Sequence, residues 1–448
     1  MRTPPARGRV LRVAVLLGVA LAAGGGGAPA FLLGTRAAWA ADDEFATAHV
    51  RAKGDVGAER LAEFTRLGEA GWPHWKAYFG TEPKGDRLPM RMDVRKDRDG
   101  FLAAVRAAGV TGEMPGAGGY YDPRTRTSFL YLQPHVSSSR LLVLHELTHQ
   151  FQYLALQDNV PDRSPTWHAE GLAEHFGFHR RTGAAVEVGA LDMVAIDDRP
   201  AECAKRVADG AFSAWKVGTG ATAPDYTDAM TLLETFLRTK DEGLARVYRQ
   251  WEREIYRAGN AHKRFERLFA SQRERLEAAV KEVWGGVRRP WHVAYVAWDE
   301  KDGVIEGRGS PWAFLEGTER LEPSRRSIAA QIQLTEEAAA AGLALCATGP
   351  ERCLVAEVRP PSRVSIRRRR DAAWTELASK DLERPFGGGP LSVRFRIEGD
   401  EAIVEVEGAE VVRANLAEAG LPADERAGTA GLVAESGAVG FARVRVGP

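Results

Sequence analysis

Cysteine is scarce in this chain: Cys203, Cys346 and Cys353 are the three among 448 residues, too few for a disulfide-dense scaffold. Neither sign of charge is in excess. Lysine plus arginine equals aspartate plus glutamate at 61 each, which excludes the global basic field of a nucleic-acid binder. No apolar run approaches the roughly 18 residues of a permanent membrane span, and no fixed-period repeat is present. What remains is an ordinary globular composition, 44% hydrophobic and 27% charged. It argues against long disorder or a collagen-like repeat, and the length suits two or three domains of about 100–200 residues each.

Acids are missing from the first 40 residues, which hold five arginines: Arg2, Arg7, Arg9, Arg12 and Arg36. Basic residues, then the apolar run Val13 to Ala23, then the A-x-A-like Ala38-Trp39-Ala40 predict an export signal over residues 1–40. An uncleaved amino-terminal anchor is the alternative. The expected protein is therefore exported to the periplasm, the cell surface or the medium. Without the signal it carries 56 bases against 61 acids and is mildly acidic. Export permits a disulfide, and only Cys346 and Cys353 are close in sequence. A hairpin bridge and a pair of buried thiols both fit that spacing, while Cys203 reads as a packed small side chain.

Hydrophobic spacing predicts an α+β chain in two parts. Residues 44–80 read as a helical hairpin, LPMRMDV (88–94) and TSFLYL (127–132) as strands, and FLAAVRAAG (101–109) as a helix closed by Gly109. PGAGGYYD (115–122) reads as a glycine-rich turn. Longer helices are predicted over 137–156, 166–179, 226–239 and 244–283. From about residue 291 short alternating runs such as CLVAEVR, SRVSIRR and LSVRFRIEG, separated by turn residues, predict an all-β sandwich. The expected domains are 41–287 and 288–448. The run Arg367–Arg370 reads as a solvated edge strand rather than a polyanion site.

The chemistry concentrates in HELTH, residues 145–149. Two histidines four apart share a helix face, so the imidazoles of His145 and His149 can reach one metal ion, with Glu146 beside that face. A catalytic zinc takes three protein ligands and keeps a position for water. TWHAEGLAEHF (166–176) offers Glu170 as the third ligand on the next helix. Glu174, one turn further, can orient a ligand histidine. His168 and His175 are rivals for the ligand role on other faces of that helix.

HELTHQFQY followed by WHAEGLAEHF resembles the gluzincin metallopeptidases, most closely the bacterial peptidase MA-like domains, over roughly residues 85–285. The resemblance implies a zincin-like domain, a Zn2+ cofactor bound by His145, His149 and Glu170, and Glu146 as the base. It also implies a catalytic tyrosine at Tyr226, for which an aromatic packed on the core is the plain alternative. Related aminopeptidases carry an acid where this chain has Gly118-Gly119, which favours cleavage inside a polypeptide. Glu113 keeps an amino-terminal anchor open. TSFLYL would be the edge strand that pairs with substrate. GLVAESGAVGFARVRV (431–446) resembles the closing strands of concanavalin A-like and laminin-G-like, jelly-roll-like sandwiches, which implies a glycan- or protein-binding accessory domain.

The expectation is an exported zinc peptidase acting on protein or peptide. A non-catalytic adhesion or scaffold protein with a vestigial or structural metal site is the alternative, and zinc hydrolysis of a non-peptide bond is a third. No nucleic acid and no membrane span after signal removal are expected.

Overall fold

The computed structural model describes residues 42–447 except 112–115, 135, 157–163, 194–197, 288, 293–296, 322–324, 336–337, 372, 387 and 422–425. The expected signal at 1–40 and the aminopeptidase alternative at Glu113 lie outside the described residues. The chain forms two compact units. The first holds residues up to Gln133 with Ser139–Gly177 and Ser213–Ala279; the second holds Pro134–Ser138, Phe178–Phe212 and Val280 onward. The units are thus interleaved along the sequence, and residues 178–212 belong with the β-rich one.

The first unit opens with β1 (Asp43–Ala46), β2 (Val50–Gly54), α1 (Ala58–Phe79), β3 (Met90–Arg95), α2 (Arg98–Ala107), β4 (Gly119–Asp122) and β5 (Thr127–Tyr131). The five strands make one sheet in the order β1-β2-β3-β5-β4, with β2-β3 and β3-β5 parallel and both edge pairs antiparallel. Two expectations are corrected here. Residues 44–80 are a strand pair followed by a single helix; in β2 alternate residues Val50, Ala52 and Gly54 are buried, a two-residue period too short to stand out beside the helical pattern. TSFLYL is internal, and the edge strand is β4, where the glycine-rich segment had read as a turn.

Helices α3 (Val136–Ala155) and α4 (Thr166–Gly177) follow. The chain then forms β6 (His179–Thr182), β7 (Ala185–Val188) and α5 (Arg199–Ala208) in the second unit. It returns to the first with α6 (Ala214–Thr219), α7 (Tyr226–Arg238), α8 (Glu242–Ala258), α9 (Ala261–Phe269) and α10 (Arg273–Gly286), inside which the first unit ends. The predicted helix at 244–283 is therefore three pieces. It is interrupted at Gly259-Asn260, both with positive φ, and by a short 3-10 turn at Ala270–Gln272.

In the second unit β8 (Trp298–Lys301), β9 (Val304–Leu321), β10 (Arg325–Leu334), β11 (Ala340–Ala347), β12 (Arg352–Arg359), β13 (Arg363–Arg370), β14 (Ala373–Asp381), β15 (Leu391–Glu398), β16 (Glu401–Val406), β17 (Ala409–Asn415) and β18 (Gly428–Gly447) build a β-sandwich. The main strand order is β14-β13-β12-β11-β18-β10-β15-β16-β17. Strand β18 holds the order together: its first half pairs with β11, its second half with β10, and β9 runs along its length. Register shifts beside Ser436, which has positive φ, bend β18 between those partners. The core runs from Trp291 to Phe441 and includes Leu343, Ile366, Phe395 and Leu432.

One expectation about the sandwich changes, and of the two readings of Cys346 and Cys353 the buried-thiol one holds. Arg367–Arg370 lies one strand in from the edge, because β14 covers β13. Arg367 and Arg369 stack on Trp374 and Trp312 instead of facing only water. Cys346 and Cys353 are free and buried. Positive φ at Cys346 turns its side chain into the main core beside Leu345, while Cys353 packs in the separate cluster with Ala344 and Val355. Opposite faces of a sheet cannot share a disulfide.

Candidate metal centre

Helix α3 is held in register by polar contacts on several sides. The Trp75 indole N–H donates to Thr148 Oγ1 (2.9 Å), whose hydroxyl donates to the Leu144 carbonyl (2.7 Å). Ser128 on β5 donates to the Glu146 carbonyl (3.2 Å), and the Gln150 amide donates to the Arg126 carbonyl (2.5 Å). Glycines let α1 come close: a Cβ on Gly68 would stand 2.7 Å from Leu147 Cδ1.

On that helix His145 Nε2 and His149 Nε2 lie 3.3 Å apart. Glu170 on α4 places Oε2 3.4 Å from the first and 3.5 Å from the second. Tetrahedral ligands about 2.0–2.1 Å from a zinc ion stand about 3.3–3.4 Å from each other. The triangle therefore has the edge lengths of three such ligands. Glu170 Oε2 is also inaccessible to solvent, and its neighbours within 3.5 Å are the two imidazole nitrogens. Burying a carboxylate oxygen this way is costly unless a cation meets it. Two imidazoles and a carboxylate are a donor set suited to zinc, so the residues present fit the ion.

The surroundings are asymmetric. Glu174 Oε1 lies 3.2 Å from His145 Nδ1. Burial alone would lower the His145 pKa, but the Glu170 and Glu174 carboxylates push it up to about 10. Burial would raise the Glu170 pKa, yet His149 and His145 hold it well below the usual carboxylate range. His168 and His175 stand outside the triangle. His168 is engaged by Ser164 (2.8 Å), Tyr248 (3.1 Å) and Glu252 (3.1 Å), and His175 Nδ1 by Glu234 Oε1 (2.7 Å).

Glu146 is buried beside the triangle, and β4 packs directly on it. A Cβ on Gly119 would lie 2.7 Å from both Cγ and Oε1 of Glu146, and one on Gly118 would lie 2.8 Å from Leu142 Cδ1. The Tyr121 backbone N–H donates to the Glu146 carboxylate. Burial, aided by the Glu170 charge, raises the Glu146 pKa despite the two histidines. Gly119 and Tyr121 were invisible as site residues in the sequence, although the paired glycines were a signal of close backbone approach. Tyr226 opens α7, where Asp225 caps the helix by accepting from the Asp228 N–H (2.8 Å), and its ring centre lies 5.9 Å from that of His145.

No protein-family description matches this chain, and no curated protein does. Some solved structures are similar to part of it. The carbohydrate-binding module CBM66 from Bacillus subtilis is 15% identical over 36% of this chain and 96% of its own length, with a TM-score of 0.32. Sheep galectin-11 is 14% identical over 30% of this chain and 95% of its own, with a TM-score of 0.23. A galectin-like protein from Bacillus subtilis is 9% identical over 32% of this chain and 80% of its own, with a TM-score of 0.27.

Proposed function

We propose that the chain is an exported zinc-dependent peptidase, of the gluzincin type, that cuts within polypeptides. The observation that carries this reading is the triangle of His145 Nε2, His149 Nε2 and Glu170 Oε2, 3.3–3.5 Å on a side, with the buried Glu146 carboxylate next to it. A zinc ion held by those three residues would supply Lewis acidity and bring the pKa of water toward about 7. Glu146 takes the proton of the attacking water and returns it to the leaving amine. The β4 backbone at Gly119 and Tyr121 fixes that carboxylate. Tyr226 donates to the developing oxyanion, a contact typically contributing about 3 kcal/mol. Strand β4, on the open edge of its sheet, pairs with an extended substrate. Glu146→Gln should keep about one zinc per chain by elemental analysis and lose cleavage of a denatured protein mixture, since it removes the base and no ligand. Turnover retained in that variant would refute the assignment, and a zinc-binding chain without any hydrolysis would favour the non-catalytic binding alternative.

The sandwich supports a second role, glycan binding. Trp312, Phe314 and Trp374 are partly buried on one sheet face; Trp312 and Phe314 are parallel within 5°, and Arg369 lies 4.1 Å over the Trp312 ring. The partly exposed rings of Trp312, Phe314 and Trp374 suit the apolar face of a sugar. Loss of glycan-array binding in Trp374→Ala would support this role, and an array without any binder would reject it.

A further inference from the structure

Several basic side chains in the helical unit are matched by acids. Arg238 pairs with Glu234, Arg264 and Arg267 with Glu254, and Arg275 with Asp241. Helix α8 departs from this pattern. Arg246, Arg249 and Arg253, spaced i, i+3 and i+7, lie on one side of it. All three are exposed, and among the described residues no carboxylate pairs with them. They border a cleft of about 620 Å3 within the same unit, formed by α8, the end of α1 and the end of α7. Ala77, Leu237 and Ala245 give it a short apolar strip, while Phe236 in its lining is buried. Its one deep acid is already engaged: Glu252 Oε1 accepts from the Tyr78 hydroxyl (2.7 Å) and lies 3.1 Å from His168 Nε2. Burial and the nearby Glu252 charge keep the Tyr78 and Tyr248 hydroxyls protonated, so the floor is fixed, and the rim carries three arginines against the one exposed acid Glu242.

We propose that this cleft docks an acidic polypeptide segment. Seven residues of helix span about 10 Å, so one small anion cannot meet all three guanidinium groups. Alternate side chains of an extended peptide repeat every 6–7 Å or so and can place successive carboxylates along that row. The apolar strip then receives side chains between the acids, a contact that an inorganic polyanion cannot use. The partner is therefore an extended, acidic segment with some apolar residues. This docking is independent of the peptidase assignment, because it requires no turnover.

The test uses the full chain carrying Glu146→Gln, so that no probe is cut, and a fluorescein-labelled peptide of alternating glutamate and alanine or leucine. Fluorescence anisotropy should show saturable binding that weakens about tenfold or more from low to high salt, as exposed charges are screened. The triple variant R246Q/R249Q/R253Q should lose about tenfold or more in affinity, while R246K/R249K/R253K, which keeps the charges, should stay within a few-fold. Thermal melting of both variants should match the parent, since these side chains are exposed. Equal binding by the glutamine variant would overturn the proposal. So would full displacement of the peptide by millimolar inorganic phosphate, or a sulfated polysaccharide binding more tightly than the peptide in an arginine-dependent way.

Discussion

Gly119 is where a single hydrogen atom decides whether Glu146 keeps its position. The missing Cβ would occupy space 2.7 Å from the carboxylate, and Glu146 has little room to retreat because it is buried. On the proposed peptidase reading, Gly119→Ala should therefore displace Glu146, the assigned base, and leave the three candidate metal donors in place. A shift of about 1 Å at a reacting group can cost on the order of a hundredfold in rate. The expected outcome is a hundredfold loss or so in activity with zinc content unchanged, measured side by side. Glu234 is the second such residue. Burial would raise its pKa, but His175 and Arg238 hold it below the ordinary value of about 4.3. A depressed native pKa contributes stability that is fully present above the unfolded-state value and is lost as pH falls through the native one. Denaturant midpoints of the full chain should thus fall on acidification below about pH 4–5, and Glu234→Gln should flatten that acid limb. A limb unchanged by the substitution would place the acid sensitivity elsewhere.

At the scale of elements, the site depends on how closely α4 approaches α7. Gly171, inside the EGLAE segment, makes that approach possible: a Cβ would stand 2.7 Å from the Ala229 carbonyl and 2.8 Å from Leu233 Cβ. Gly171→Ala should destabilise the protein by about 1–3 kcal/mol through overpacking, seen as a lower thermal midpoint of the helical unit, and should move Glu170 with it. The sequence made some of this legible. The long helices show because the 3.6-residue pattern of buried side chains is sustained over several turns. The two histidines are visible because i, i+4 spacing sets them on one face, whatever the fold around them. Strand β4 was not legible: Gly118 and Gly119 carry the signature of a turn, whereas here they let a strand lie against a helix. The β1-β2 pair was lost for a different reason, since four- and five-residue strands give too few alternations to compete with the aromatic spacing of α1. The roles of Gly119 and Tyr121 rest on backbone contact, which side-chain identity does not encode.

For the whole molecule, the interleaved division raises the question of which segments each unit needs. Among the described residues, the sandwich core draws its buried members from Trp291 to Phe441 and none from 178–212. The hairpin β6-β7, though grouped with that unit, pairs with β8 at one residue pair, Arg181 with Lys301, continued by hydrogen bonds of Arg181 and Gly183 with Asp302, and by ion pairs of Arg180 with Glu300 and Arg181 with Asp299. Partly exposed ion pairs contribute little, typically about 1 kcal/mol or less. A fragment of residues 288–448 should therefore fold by itself, β-rich by circular dichroism, cooperative on heating and free of zinc. Losing the hairpin should lower its stability only slightly relative to the same strands in the full chain. On the proposed reading the complementary fragment, 41–287, should bind zinc, because all three candidate donors and both helices that hold them lie in its sequence. A 288–448 fragment that stays unfolded would mean that the hairpin, or α5 beside it in sequence, contributes more than its few contacts with the strands indicate.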